Sequence, residues 1–346
     1  MQIDHFTIGS DGVFIIAELS ANHNGSLDTA LETIRAAKRA GADAIKLQTY
    51  TADTLTIDSQ REDFVINSGS LWDGKTYHEL YKSAYTPWEW HKALFDCAKE
   101  EGLICFSSPF DKTAVDFLEE LDAPAYKIAS FEITDIPLIE YAASKNKPII
   151  LSTGIAGMED IELALKTCRE AGNNDIGLLK CTSSYPAPVE EANMAMVKDF
   201  AERFGIVPGL SDHTMGSTVP IVATVMGAKI IEKHFIIDRS IGGPDASFSM
   251  DEKEFAEMVK AVREAEKAVG KVDYTPTQKQ LNGRNFSRSL YVVQDMNKGD
   301  VITEENVRSI RPGWGGHPVL LKDVLGKPVN QDLKRGDRFK ADFVGA

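Results

Sequence analysis

The sequence predicts an α/β chain in which a (β/α)8 barrel of the TIM type is followed by a small β-rich domain. Three observations carry that expectation. Short β-branched apolar runs alternate with longer stretches of helical period from Val13 onward. Polar residues stand at the C-terminal end of nearly every run, and the pattern changes character after Gly270. A doubly wound open sheet fits the alternation too, but it concentrates ligand groups at one switch point rather than after each strand.

The strands read in order as "VFIIAEL", "AIKLQTY", "ICFSSPF", "AYKIAS", "PIILSTG", "IGLLKCT", "VPGLSD" and "IIEKHF", the number that closes a parallel barrel. Between them, "LDTALETIRAAKRAGA" and "DEKEFAEMVKAVREAEKAVG" place apolar residues at i, i+3, i+4 and i+7 and end at Gly41 and Gly270, as outer-layer helices do. An insertion after the second strand, "TADTLTIDSQREDFVINSGSLWDGKTYHELYKSAYTPWEW", is too long for a plain βα connection and belongs at the mouth of the barrel. Of its aromatic residues, Trp72, Tyr77, Tyr81, Tyr85, Trp88 and Trp90, most are expected to pack against the barrel. Residues 1–270 therefore form the barrel, 271–285 a polar linker and 286–346 the β-rich domain, in which "DMNKGDVIT" is echoed by "DLKRGDRFK".

A formal charge of −14 disfavours nucleic acid and anionic membrane surfaces as partners, because both would be repelled by the molecule's net field. Cys97, Cys105, Cys168 and Cys181 form no CxxC pair and lie in apolar segments, as reduced core residues of a cytoplasmic protein do. No apolar run is long enough to span a bilayer.

In a parallel barrel the C-terminal strand ends converge on one mouth. Those ends supply Glu18, Lys46, Gln48, Ser108, Lys127, Ser130, Glu132, Ser152, Ser183, Tyr185, Ser211, His213 and His234, with Asn22 in the first loop. Lys46 and Lys127 sit inside apolar strands, so each needs an anion: a phosphate or carboxylate ligand, or a structural carboxylate such as Glu18 or Glu132. Histidine occurs seven times, and His213 and His234 end adjacent strands. That pair suits one divalent cation, Mn2+ or Mg2+, with Glu18 or Glu132 adding an oxygen ligand and positions left open for Lewis-acid work. His5, His78, His91 and His317 lack such a setting.

Taken in order, "FIIAELSANHNGS", "DAIKLQTY", "FSSPFD", "YKIASFE", "ILSTGIA", "KCTSSYPAP", "GLSDHTMG", "IEKHF" and "GPDASFSM" resemble the motifs of the sialic-acid synthases. The tail, through "SRSLYVVQDMNKGDVITEENVRSIRPGWGGHP" and "LGKPVNQDLKRGD", resembles their antifreeze-like (SAF) domain. "IAELSANH", "LWDGKTYHELYKSAYTPWEWH" and "RPGWGGHP" resemble the pseudaminic acid synthases more than the N-acetylneuraminate synthases. Ser183 also stands where the neuraminate enzymes commonly carry asparagine.

The resemblance implies condensation of phosphoenolpyruvate with the open-chain aldehyde of an acetamido sugar, foremost 2,4-diacetamido-2,4,6-trideoxy-L-altropyranose. The products are a nine-carbon 2-keto acid and phosphate, released by C–O cleavage. Lys46, Ser108, Lys127, Ser130, Ser152, Ser183 and Ser211 would hold phosphoenolpyruvate. Glu18, and after it Glu132, would organise water or move a proton. Asn22, Gln48, Tyr185 and Asp245 would lie near the sugar, and Phe286 and Arg311 would reach it from a partner subunit in a domain-swapped homodimer. Competing readings are an N-acetylneuraminate or legionaminate synthase, an aldose-phosphate synthase, and a non-catalytic carbohydrate-binding protein.

Overall fold

The computed structural model describes residues 1–67, 69 and 72–345. Ser68, Ser70 and Leu71 of the expected mouth insertion, and Ala346 at the end of the tail, lie outside the described residues. Two compact units divide after Gly270, and each is described by itself.

The first unit is a closed parallel barrel of β1 (Phe14–Glu18), β2 (Ala44–Thr49), β3 (Ile104–Pro109), β4 (Tyr126–Ile128), β5 (Ile149–Ser152), β6 (Ile176–Cys181), β7 (Val207–Asp212) and β8 (Ile230–His234). It closes where β8 pairs with β1, with Ile230 opposite Phe14 and His234 opposite Glu18. Because side chains alternate along a strand, every second residue enters the barrel. Phe14, Ile16, Ala44, Ile104, Phe106, Ala125, Ile150, Leu179 and Ile230 form one apolar cluster inside it. Further along seven of the eight strands the inward set turns polar: Glu18, Lys46, Ser108, Lys127, Ser152, Ser211 and Glu232 are all buried. The apolar layers supply stability, about 1.5–3 kcal/mol for each fully buried large side chain. The polar layer lies toward the C-terminal strand ends.

An N-terminal ribbon that the sequence pattern did not indicate pairs Gln2–Ile3 with Phe6–Thr7. Ile3 and Ile8 pack into the same apolar cluster as Phe14 and Ile230, so the ribbon covers the barrel end opposite the mouth. The outer helices follow their sequence marks. Ser26 caps the helix Leu27–Arg39 by accepting from the Thr29 amide, and Lys38 and Arg39 sit in its last turn, where the helix dipole favours cations. Asp251 and Glu254 form a capping box that opens the helix Glu252–Val269. All four cysteines are free and buried. Among the described residues, no helix is long and apolar enough to cross a membrane.

In the second unit, β9 (Ser289–Val292) pairs antiparallel with β10 (Val307–Ile310) over a core that includes Leu290, Met296, Leu333 and Phe339. The two echoed segments are structural counterparts. In each, an amide donates to the aspartate three residues on, Asn297 to Asp300 at 2.6 Å and Lys334 to Asp337 at 2.7 Å. Each also turns at a glycine of positive φ, Gly299 and Gly336. They pair with one another through Met296 and Leu333. The stretch read as a linker contains a short helix, Gln278–Gly283, capped by Thr277.

Candidate active site

A cavity of about 590 Å³ opens at the C-terminal mouth of the barrel. Its floor carries paired charges. Lys46, on β2 beside Glu18 of β1, lies 2.7 Å from both Glu18 and Glu232. Lys127 of β4 reaches Glu232 at 3.5 Å, and the Ser211 hydroxyl donates to the same carboxylate at 3.2 Å. Burial lowers the Lys46 ammonium to about 7, against the pull of Glu232. Burial alone would raise the Glu232 carboxyl, but Lys127 and Lys46 bring it below the usual carboxylate range.

These contacts correct two expectations. The structural carboxylate between the lysines is Glu232, which sequence reasoning passed over, and Lys127 has no ion pair with Glu132. Glu18 pairs with Lys46, one of the structural pairings expected, and it also lines the cavity, its carboxylate oxygens making no hydrogen bond among the described residues. Glu132 lines the cavity as well; burial, opposed by Lys127, raises its carboxyl to about 7.

His213 follows β7 and His234 ends β8, with ring centroids 5.2 Å apart. Tyr185 lies 4.4 Å from the first ring and Phe248 lies 5.1 Å from the second, so both imidazoles are held by aromatic neighbours. His213 Nδ1 stands 3.0 Å from the Thr182 carbonyl; the tautomer that donates there leaves Nε2 with its lone pair. Burial works against protonation of this ring, but the Cys181 thiol and the Thr182 carbonyl outweigh it, so the remaining nitrogen is a basic one. Nδ1 of His234 is buried without a hydrogen-bond partner. Burial, reinforced by His213 and Lys46, holds this ring well below the usual imidazole range and therefore neutral. Once His213 is deprotonated, the two imidazoles present lone pairs that fit a divalent cation. Among the described residues, no cluster of three or more His, Cys, Asp or Glu side chains is arranged to hold a metal.

The serines divide. Ser130 and Ser211 line the cavity. Ser108, Ser152 and Ser183 do not, but their hydroxyls are buried without protein partners. Gly154 marks where two of these residues meet. Its amide donates to Ser130 Oγ at 3.1 Å, and a Cβ added there would stand 2.0 Å from Ser183 Oγ and 2.6 Å from Ser130 Oγ. Only glycine leaves that space open beside the two hydroxyls.

The opposite wall is apolar and aromatic. The insertion contributes Leu55, Ile66, Trp72, Tyr77, Leu80 and Tyr81, so half of the expected aromatic cluster faces the cavity. Trp88 instead donates to the Tyr50 carbonyl at 3.2 Å, and Trp90 packs edge-on to His23. Gln48, Tyr185 and Asp245 also line the cavity, joined by Ser20, which sequence reasoning missed. Asn22 does not. It is fully buried, with Nδ2 donating to the Phe235 carbonyl at 2.9 Å and to Ser249 Oγ at 2.8 Å, and so it ties the first loop to the last strand. Within the second unit, Phe286 is 72% exposed and Arg311 forms no ion pair among the described residues.

A closed parallel barrel with a charged, partly aromatic cavity at its C-terminal mouth defines an enzyme of the β/α-barrel class. The sequence matches the NeuB family over residues 33–274 and the SAF domain over residues 287–344. The chain belongs to the NeuB family. It is 49% identical over 344 residues to a pseudaminic acid synthase of Campylobacter jejuni, covering 99% of this chain and 100% of that one. It is 47% identical to a pseudaminic acid synthase of Helicobacter pylori, covering 95% and 97%. Among solved structures, the spore coat polysaccharide biosynthesis protein SpsE of Bacillus subtilis superposes with a TM-score of 0.68 at 34% identity, covering 100% of this chain and 99% of that one.

Proposed function

We propose that this chain is a pseudaminic acid synthase, condensing phosphoenolpyruvate with a 2,4-diacetamido-2,4,6-trideoxy sugar and releasing phosphate. The observation that carries the substrate assignment is the 49% identity across the full length to a protein of that name. The chemistry of the mouth supports it. Lys127 and Ser130 offer a cation and a hydroxyl, and Ser108, Ser152 and Ser183 offer unsatisfied hydroxyls, to the phosphate and carboxylate, while Lys46 keeps Glu18 and Glu232 as its counter-ions. The apolar wall from Leu55 to Tyr81 suits acetamido methyl groups and a deoxygenated sugar end, which a purely polar cavity would leave unpaired.

His213 and His234 would hold a divalent ion such as Mn2+ or Mg2+, which when bound polarises an aldehyde oxygen as a Lewis acid. Glu132, with a carboxyl near neutrality, takes the proton from the water that adds to the phosphate-bearing carbon and is the better of the two acid–base candidates. Tyr185, Gln48 and Asp245 orient the sugar from the cavity wall. The exposed Phe286, with Arg311, completes the site from the second unit of a partner copy, as a domain-swapped homodimer requires. The cytoplasm, where phosphoenolpyruvate is made, is the compartment for this reaction.

The test is incubation with phosphoenolpyruvate, Mn2+ and a panel of mono- and diacetamido aldoses, following phosphate release and product mass. The expected outcome is metal-dependent release, stopped by chelator, with a product mass matching a diacetamido nonulosonate. Preference for a monoacetamido aldose would move the chain to the neuraminate branch. Sugar binding without consumption of phosphoenolpyruvate would make it a carbohydrate-binding protein.

A further inference from the structure

The loop that follows β1 holds a residue under conformational strain inside the cavity. Ser20 has a φ of +47° and is 4% exposed. This is the left-handed region, where glycine rests without penalty and a side chain crowds the backbone. Strain of this kind at a cavity wall persists where the side chain serves a purpose.

The Ser20 hydroxyl has two partners. Gln48 Nε2 lies 3.0 Å from it, and it lies 2.5 Å from Asp245 Oδ2. Ser20 donates to Asp245, and its oxygen is left to accept from the Gln48 amide. That chain of bonds sets the Gln48 amide orientation as well as the Asp245 rotamer. The Ala21 amide adds a longer bond, 3.4 Å, to the same Asp245 oxygen. The free ends are then two acceptors, Asp245 Oδ1 and Gln48 Oε1, and neither has a hydrogen-bond partner among the described residues although both residues line the cavity.

We propose that Ser20 is a positioning residue for the sugar: its hydroxyl locks Asp245 and Gln48 into a pair of acceptors for an N–H or O–H donor of the acetamido substrate. The strained backbone is kept because only a side chain at this position supplies that hydroxyl. The proposal rests on the preceding reading that an acetamido sugar is the co-substrate. It assigns to Ser20 no contact with phosphoenolpyruvate.

Two variants separate the hydroxyl from the strain. Ser20→Ala keeps the Cβ at positive φ and loses the hydroxyl, whereas Ser20→Gly loses both. Initial rates are measured with each substrate varied in turn, and thermal unfolding is followed for both proteins. Both variants are expected to lose roughly ten- to hundred-fold in kcat/KM for the sugar, the scale of one buried charge-assisted hydrogen bond, with KM for phosphoenolpyruvate unchanged. The glycine variant is expected to melt above the alanine variant, because it alone relieves the backbone. Catalysis would then follow the hydroxyl while stability follows φ. Wild-type sugar kinetics in Ser20→Gly would overturn the proposal and leave the synthase reading standing, as would an equal rise in both KM values. A wild-type chain that releases no phosphate with any acetamido sugar would overturn both.

Discussion

Glu132 is the residue whose ionisation the cavity controls most directly. It is faced by Lys127 and Lys46, which favour the carboxylate, by Asp135, which opposes it, and by the phenols of Tyr81 and Tyr185. Burial outweighs the lysines, and its carboxyl rises from 4.5 to about 7. The folded state therefore binds this proton more tightly than the unfolded chain does. Below pH 4.5 both states are protonated and the group is neutral in its effect. Between 4.5 and about 7 the unfolded chain ionises first, so this group's contribution to stability falls as pH rises, and above 7 the penalty is constant. Glu132→Gln removes the titration. The difference in melting temperature, variant minus wild type, is expected to grow from pH 5 to pH 7 and then level off; a difference that stays flat across this range would show that Glu132 is not held as a neutral acid. At this scale the sequence located residues that stand at a strand end: His213, His234 and Lys127 all line the cavity. It was not legible at Ser20, whose φ has no signature in composition, nor at Asn22, whose partners Phe235 and Ser249 lie more than 200 positions away.

At the scale of elements, the two strands that carry the histidines are joined on their outer face by a buried ion pair, Lys233 to Asp212 at 2.5 Å, both under 4% exposed. Asp212 also accepts from the Thr214 amide at 2.9 Å and so shapes the turn on which His213 rides. Lys233→Met would strand that carboxylate in the interior, and a loss of about 3–5 kcal/mol is expected in chemical denaturation. Asp212→Asn combined with Lys233→Met should recover much of it; a double variant no more stable than the single one would contradict the pairing. The alternation that places Lys233 outside places Glu232 inside, level with Glu18 and Lys46. Strand parity counted back from His234 would have found Glu232 in the sequence "IIEKHF". Attention to strand ends alone missed it, because inward positions one layer deeper are part of the same site. The insertion after β2 was recognised by its length, but which of its aromatic residues face the cavity depends on the path of the loop, and no periodicity encodes that path.

For the molecule as a whole, the barrel follows from the alternation of strand and helix, and its working end from the polar layer above the apolar one. Burial of lysines and carboxylates in one layer is costly unless they neutralise one another, and Lys46 and Lys127 together balance Glu18 and Glu232 before any ligand arrives. Lys127 is held less closely, at 3.5 Å, and the Ser183 hydroxyl near Gly154 is buried without a partner, which in the proposed reading leaves donors for an anion. The sequence could place both lysines inside the barrel; it could not say which was the more closely paired, because pairing depends on sub-ångström reach across the closed sheet. The proposed reading rests on Lys127 being the lysine that can turn from Glu232 to the substrate anion. A crystal structure of the chain grown with phosphoenolpyruvate and Mn2+, with the metal located by its anomalous scattering, tests it most directly. The account predicts phosphate oxygens on Lys127, Ser130 and Ser183 and the anomalous peak beside His213 and His234. Phosphoenolpyruvate seated against the apolar wall, or a metal peak away from both imidazoles, would contradict it.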